Sequence, residues 1–133
     1  MSISERIRKA KHVYIIGNGG SYANAVHMCN DLLACGVRAY TLDPATLTAI
    51  ANDFGYEHTF SRWIAVVGSS DGLLIALSGS GKSPNILNAI RAADTIGMPY
   101  VLITDYLRTM DMQRSEERQL EIGHEVMRAL KCD

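Results

Sequence analysis

The sequence predicts an α/β domain built on a doubly wound parallel sheet of four or five strands. Two segments share one order: a short apolar run, a loop of glycine and small polar residues, and then a helical pattern. The first leads from residues 12–16 to a helix ending near Ala34, and the second leads from residues 73–77 to a helix ending near Ile96. Continuous apolar strands that alternate with helices are typical of parallel sheets covered on both faces.

The remaining segments complete this pattern. Residues 37–42 and 100–104 are rich in apolar, β-branched and aromatic side chains and are predicted strands, while residues 110–113 are a weaker fifth candidate. Helices are predicted over residues 46–52 and 57–67. The sequence shows no linker or long-period repeat, so we expect a single domain over residues 1–133.

The last helix, predicted over residues 115–131, is charged and amphipathic. Its predicted apolar anchors are Leu120, Ile122, Val126, Met127 and Leu130.

Composition argues against several classes of function. Charged residues make up 20% of the chain and the formal net charge is −1, which does not favour a broad nucleic-acid or membrane-binding surface. No apolar run approaches the roughly 20 residues of a membrane-spanning helix, and residues 1–6 lack the features of a signal peptide. The three cysteines, Cys29, Cys35 and Cys132, show no metal-like pairing. We therefore expect a cytoplasmic protein with reduced thiols.

The second loop, residues 78–83 with the sequence SGSGKS, predicts an anion site. It lies between an apolar strand and a helix start, where the first backbone N–H groups lack partners and the helix dipole favours negative charge. Its serine hydroxyls add donors, and its glycines let the backbone approach a ligand closely. We call residues 78–83 the serine loop and residues 17–21 the glycine loop. Both follow strands, where open sheets bind their ligands.

Neither loop fits the common nucleotide-binding motifs. A P-loop ending at Gly81 needs a glycine five positions earlier, where this chain has Ala76. A dinucleotide fingerprint starting at Gly17 needs glycine or alanine at the position of Tyr22. A plain glycine-rich turn is the alternative interpretation of either loop alone.

Three segments together resemble the sugar isomerase (SIS) domain family, and most closely its phosphoheptose isomerase branch. They are GNGGS at 17–21, NDFG at 52–55 and the serine loop, and the resemblance runs from about Val13 to Leu130. It implies a flavodoxin-like fold, usually as a homotetramer whose active sites combine neighbouring subunits; we expect a tetramer or dimer here. It also implies the metal-assisted isomerisation of sedoheptulose 7-phosphate, or a close analogue, to a heptose 7-phosphate.

The resemblance also implies roles for individual residues. A zinc ion would be held by His27, Asp31, Glu116 and His124, and proton transfer would fall to Asp31, Glu116 and His124. The residues that it implies for the sugar and its phosphate are Asn18, Gly19, Ser21, Asp53, Ser78, Gly79, Ser80 and Ser83.

The spacing of the four implied metal ligands is compatible with shared helix faces. His27 and Asp31 lie four residues apart on one predicted helix, which places them about one turn apart on the same side. Glu116 and His124 lie eight residues apart, or about 80° around the last helix. Two histidines and two carboxylates suit zinc. Taken singly, each also has a structural interpretation: a core histidine for His27, an interface or surface histidine for His124, and solvated helix charges for the two carboxylates.

Two of the four implied metal ligands depart from the family pattern. Asp31 stands where the family has glutamate, which retracts the carboxylate by about 1.5 Å. Glu116 stands where it has glutamine, which adds a negative charge that suits a cation or takes over from the shorter Asp31. The segments before the first strand and before the last helix are also short, so we expect a trimmed fold and an altered tetramer.

A second function is open at this stage. Some relatives of this branch bind the bacterial replication initiator protein, and a non-catalytic SIS module of that kind, or a phosphosugar-sensing regulator, is the alternative to an enzyme. The joint presence of His27 and His124 favours the enzyme, whereas Asp31 and Glu116 favour the binding module.

Overall fold

The computed structural model describes residues 1–104 and 111–131, and its centre is a four-stranded parallel sheet in the order β2-β1-β3-β4. The chain winds to one side from β1 to β2 and to the other from β3 to β4, so the order reverses between β1 and β3. This arrangement confirms the predicted doubly wound sheet. The strands are β1 (His12–Gly17), β2 (Ala39–Thr41), β3 (Gly72–Leu77) and β4 (Tyr100–Ile103).

Helices cover both faces of the sheet. Alternate residues of β1 point to opposite sides: Val13 and Ile15 pack into one apolar cluster, and Tyr14 and Ile16 pack into another. This two-sided burial is why the strands are continuous apolar runs in the sequence. The helices are α1 (Ile3–Lys9), α2 (Gly20–Ala34), α3 (Pro44–Phe54), α4 (Thr59–Val67), α5 (Pro84–Thr95) and α6 (Met112–Lys131), with a 3₁₀ turn (Tyr56–His58) before α4.

Two predicted elements differ in the structure. The helix expected over residues 57–67 is a 3₁₀ turn followed by α4. The strand expected over residues 110–113 is wrong at residues 112 and 113, because both belong to α6. Met110 and Cys132 lie outside the described residues. The Asp111 carboxylate explains the helix start, since its Oδ1 accepts hydrogen bonds from the Gln113 and Arg114 N–H groups at 3.0 and 3.3 Å.

The junction of β1 and α2 is unusually close. A Cβ atom built on Gly17 would lie 2.6 Å from the backbone carbonyl carbon and oxygen of Ser21, so glycine is required there. Gly19, the N-cap of α2, has a φ of +55°, which is unfavourable for residues other than glycine. The two glycines let the chain pass directly from the strand into the helix.

Helices α2 and α6 pack side by side and run in the same direction. Met28 lies against Gly123, and further along the Cys35 Sγ lies 3.9 Å from the Met127 carbonyl oxygen. The buried stripe of α6 is smaller and more polar than the sequence predicted. Of the predicted anchors, only Val126 is fully buried, and the other buried residues are Ser115, Gln119 and Gly123.

Across residues 1–104 and 111–131, no helix has both the length and the apolar character needed to span a membrane.

Replacing Gly17 with alanine is expected to destabilise the domain by about 1–3 kcal/mol, because the added methyl group meets backbone that cannot move away. Chemical denaturation followed by circular dichroism measures this change.

Gly123→Ala is the matched control. Its methyl group would meet the flexible end of Met28 at 3.2 Å, and alanine gains up to about 1 kcal/mol of helix propensity. We expect the free energy of unfolding to change by less than about 1 kcal/mol. Equal losses at the two positions would contradict the close junction at Gly17.

Candidate active site

The glycine and serine loops line a single cavity of about 270 Å³ at the carboxyl ends of β1 and β3. Ligands of open α/β sheets bind at this place, where the strand order reverses. We call it the anion cavity. Its lining residues are Asn18, Gly19, Gly20, Ser21, Leu77, Ser78, Gly79, Ser80, Ser83, Met112 and Glu116.

Hydrogen bonds within the serine loop fix its shape. The Ser78 hydroxyl accepts from the Gly81 N–H, and the Ser80 hydroxyl accepts from the Lys82 N–H, both at 3.1 Å. A hydroxyl that accepts a bond still has its own proton to donate. Gly81 takes a φ of +68°, which turns the chain toward α5. The loop thus presents hydroxyl donors while its backbone is held in place.

Two helices begin at the anion cavity. Gly19 is the N-cap of α2 and Ser83 is the N-cap of α5, and neither makes a side-chain capping hydrogen bond. The first N–H groups of a helix are partial positive charges that attract anions. Two helix starts and the serine hydroxyls therefore make the cavity suitable for a phosphate group.

A pair of amides connects the two loops. The Asn18 Nδ2 donates to the Asn85 Oδ1 at 2.8 Å, and the Asn85 Nδ2 donates back to the Asn18 Oδ1 at 2.9 Å. The Tyr56 hydroxyl also donates to the Asn18 Oδ1, at 2.8 Å. Asn18, expected from the resemblance to contact the sugar, thus lines the cavity with its amide engaged in holding the loops together.

A second polar contact joins α6 to the glycine loop. The Gln119 side chain is 1% exposed, and its Nε2 donates to the Ser21 hydroxyl at 3.0 Å. The Asn24 Nδ2 donates both to the Gln119 Oε1 and to the Glu116 carbonyl oxygen. Ser21 therefore lies in the cavity wall, with its hydroxyl fixed by α6.

Four of these supporting residues were not found from the sequence: Asn24, Tyr56, Asn85 and Gln119. The sequence feature that indicates such residues is their position on a helix face that is buried. Gln119 lies four residues from both Ser115 and Gly123 on one helix face, and Asn85 lies in the first turn of α5. Polar residues on a buried helix face usually have a hydrogen-bonding role.

Asp53 lies apart from the cavity. It is exposed near the end of α3, and its Oδ1 accepts a hydrogen bond from the neighbouring Asn52 side chain. Asp53 is absent from the residues that line the anion cavity of its own chain.

His27, Asp31 and His124 come together between α2 and α6, and we call them the His–Asp cluster. The two histidine Nε2 atoms are 3.1 Å apart. The Asp31 Oδ2 lies 3.3 Å from the His27 Nε2 and 3.9 Å from the His124 Nε2. Although Asp31 is only 8% exposed, its Oδ2 makes no hydrogen bond to the described residues.

This geometry fits a zinc ion. Ligands about 2.0–2.1 Å from a tetrahedral zinc lie about 3.3 Å from one another, close to two of the three distances of the cluster, while the third, from the Asp31 Oδ2 to the His124 Nε2, is longer at 3.9 Å. Two imidazole nitrogens facing each other beside a buried carboxylate oxygen without a hydrogen bond also favour a shared cation. Three protein ligands leave a fourth position for water or substrate.

Glu116 does not join the His–Asp cluster, contrary to the sequence-based expectation. Its carboxylate lies over Gly20 instead, where a Cβ built on that glycine would be within 1.6 Å of the Glu116 Oε2. The expectation came from the family resemblance, and the angle of about 80° around the helix was compatible with it. Eight residues of helix also rise about 12 Å, so Glu116 and His124 reach different ends of the site.

The chain belongs to the SIS domain family, whose model matches residues 1–105. Within that family it is similar to the phosphoheptose isomerase of Bradyrhizobium sp. (strain BTAi1 / ATCC BAA-1182), with 39% identity over 106 residues, which cover 74% of this chain and 54% of that protein. It is 38% identical over 109 residues to the phosphoheptose isomerase of Histophilus somni (strain 2336), covering 77% and 56%. The chain therefore spans about half the length of these curated relatives.

A solved structure agrees with this assignment at the level of the fold. The phosphoheptose isomerase GmhA from Neisseria gonorrhoeae matches with a TM-score of 0.88 at 24% identity, over 98% of this chain and 82% of that one. The SIS fold expected from the sequence is thus confirmed.

Replacing Asn85 with alanine is expected to destabilise the domain by about 1–3 kcal/mol, because it leaves the Asn18 amide without its reciprocal partner. The control is Asn52→Ala, an exposed asparagine bonded to its neighbour Asp53, for which we expect less than about 0.5 kcal/mol. Urea unfolding monitored by tryptophan fluorescence distinguishes the two. Similar values for both variants would contradict a structural role for the amide pair.

Proposed function

We propose that this domain is a metal-assisted phosphosugar isomerase that converts sedoheptulose 7-phosphate, or a close analogue, to a heptose 7-phosphate. The observation that carries the proposal is that one helix pair, α2 and α6, bears both the anion cavity and the His–Asp cluster. The names of the curated relatives support the reaction and substrate class.

The distance between the anion cavity and the His–Asp cluster suits a seven-carbon sugar phosphate. His27 lies seven residues after Gly20 on α2, a rise of about 10 Å. An extended chain of seven carbons spans roughly 7–8 Å, to which the phosphate adds further length. A phosphate in the anion cavity thus leaves the far end of the sugar near the His–Asp cluster.

The serine loop supplies the proposed phosphate contacts. Ser78, Ser80 and Ser83 would donate hydroxyl protons, with the backbone of Gly79 alongside. Gly19 and Ser21 would contact the sugar from the glycine loop. Anion binding at two helix starts needs no cationic side chain.

Proton transfer is proposed for the other end. The reaction moves a proton from C1 to C2 of the ketose and another between the two adjacent oxygens, so that no atoms are gained or lost. The Asp31 carboxylate has a second oxygen that can carry the carbon-bound proton, and His124 has a second ring nitrogen that can serve a sugar oxygen. When bound by His27, Asp31 and His124, zinc supplies Lewis-acid stabilisation of charge on the carbonyl oxygen.

We also propose that the protein is cytoplasmic and forms a homo-oligomer, either a dimer or a tetramer. The position of Asp53 supports the oligomer. The resemblance expects this residue at a site shared between subunits, and in its own chain it is exposed outside the anion cavity.

Sedoheptulose 7-phosphate incubated with the protein, with and without zinc, is expected to give new aldose anomeric signals in NMR spectra. Asp31→Asn or His124→Gln should lower turnover by at least about a hundredfold, since each removes a proton-transfer group. Both variants should also retain less zinc in equilibrium dialysis, because each weakens a ligand of the cluster.

The matched control is His58→Gln, since His58 is exposed and lies beside Glu57, outside the site. It should retain full turnover and zinc. Absence of aldose under every metal condition would rule out the heptose isomerase. Phosphosugar binding without turnover would instead support the non-catalytic SIS module.

A further inference from the structure

Glu116 places a carboxylate inside a cavity otherwise suited to anions. It lies in the first part of α6, is half-buried, and lines the anion cavity with the serine loop and the start of α2. Its Oε2 lies directly over Gly20, in space that any side chain at that position would occupy. The carboxylate is therefore part of the cavity wall.

Within residues 1–104 and 111–131, this carboxylate has no ion-pair or hydrogen-bond partner. The hydrogen bond from Asn24 to Glu116 goes to the backbone carbonyl oxygen and not to the carboxylate. An ionised carboxylate accepts hydrogen bonds and donates none. Its neighbours in the cavity are a helix start and serine hydroxyls, which attract an anion. The cavity thus combines donors suited to a phosphate with one strong acceptor that needs a donor from a ligand.

A phosphosugar satisfies both requirements, whereas sulfate satisfies only one. The hydroxyl groups of a sugar are donors, and they lie beside the phosphate on the same molecule. Sulfate carries no proton at neutral pH and brings negative charge without a donor, whereas inorganic phosphate keeps a P–OH group that can donate to a carboxylate. A cavity of about 270 Å³ is smaller across than the Debye length of about 10 Å at 0.1 M salt, so salt screens the repulsion between sulfate and the Glu116 carboxylate only weakly.

We propose that Glu116 is a specificity-determining residue of the anion cavity: its carboxylate accepts hydrogen bonds from the hydroxyl groups of a bound phosphosugar and disfavours anions that bring no donor. This inference rests on the proposed function for the nature of the ligand. It gives Glu116 a role distinct from the metal binding suggested by the resemblance.

Isothermal titration calorimetry with sulfate and with sedoheptulose 7-phosphate tests the proposal. Glu116→Gln keeps the shape of the side chain and removes its charge. We expect it to bind sulfate about threefold more tightly, because repulsion is relieved. We expect its preference for the phosphosugar over sulfate to fall about tenfold, because hydrogen bonds to a charged acceptor are lost.

The neighbouring exposed residue provides the control. Glu117→Gln makes the same change of charge outside the cavity and should leave both affinities within about twofold. A variant that merely disturbed the structure would weaken both ligands together, in contrast to the opposite changes expected for Glu116→Gln. Glu116→Ala provides the same comparison if circular dichroism shows that Glu116→Gln is not folded.

The possible results separate this inference from the proposed function. An unchanged preference in Glu116→Gln, with wild-type protein still binding the phosphosugar, would overturn the role of Glu116 alone. Failure of the wild-type protein to bind the phosphosugar would overturn the proposed function, and the inference with it.

Discussion

The packing of α2 against α6 is the interaction on which the site depends. It places Glu116 over Gly20 at one level and His124 beside His27 at another. At Gly123 the helices meet closely, with the flexible end of the Met28 side chain against α6. Since the helices run in the same direction, each end of the site combines one residue of α2 with one residue of α6 that lies more than ninety positions later in the chain. A shift of either helix would disturb both ends.

This packing separates two kinds of chemistry that would otherwise interfere. The anion cavity attracts negative charge through helix starts and hydroxyl groups, whereas the His–Asp cluster offers a buried carboxylate and imidazole nitrogens to a cation. About two turns of α2 lie between them. Under the proposed function, a ligand with a phosphate at one end and a carbonyl group at the other would meet each environment at the appropriate end.

The sequence predicted the sheet well because Ile15, Ile75 and their neighbours are buried on both faces and leave an unmistakable apolar run. It also predicted the positions of the two loops, because glycines and serines between a strand and a helix start are typical of an anion site. It did not reveal Asn85 or Gln119, because a buried amide resembles a surface amide until the partner across the fold is known. Glu116 was assigned to the metal site by the family resemblance, and its rise of about 12 Å along the helix from His124 was not considered.

The reciprocal bonds between Asn18 and Asn85 have a mechanical consequence. Each amide donates to and accepts from the other, so a displacement or rotation of one side chain breaks two bonds together. The glycine loop and the start of α5 are thereby joined directly, although 67 residues separate the two asparagines along the chain. A ligand that displaces one loop is therefore expected to draw the other with it through these two bonds.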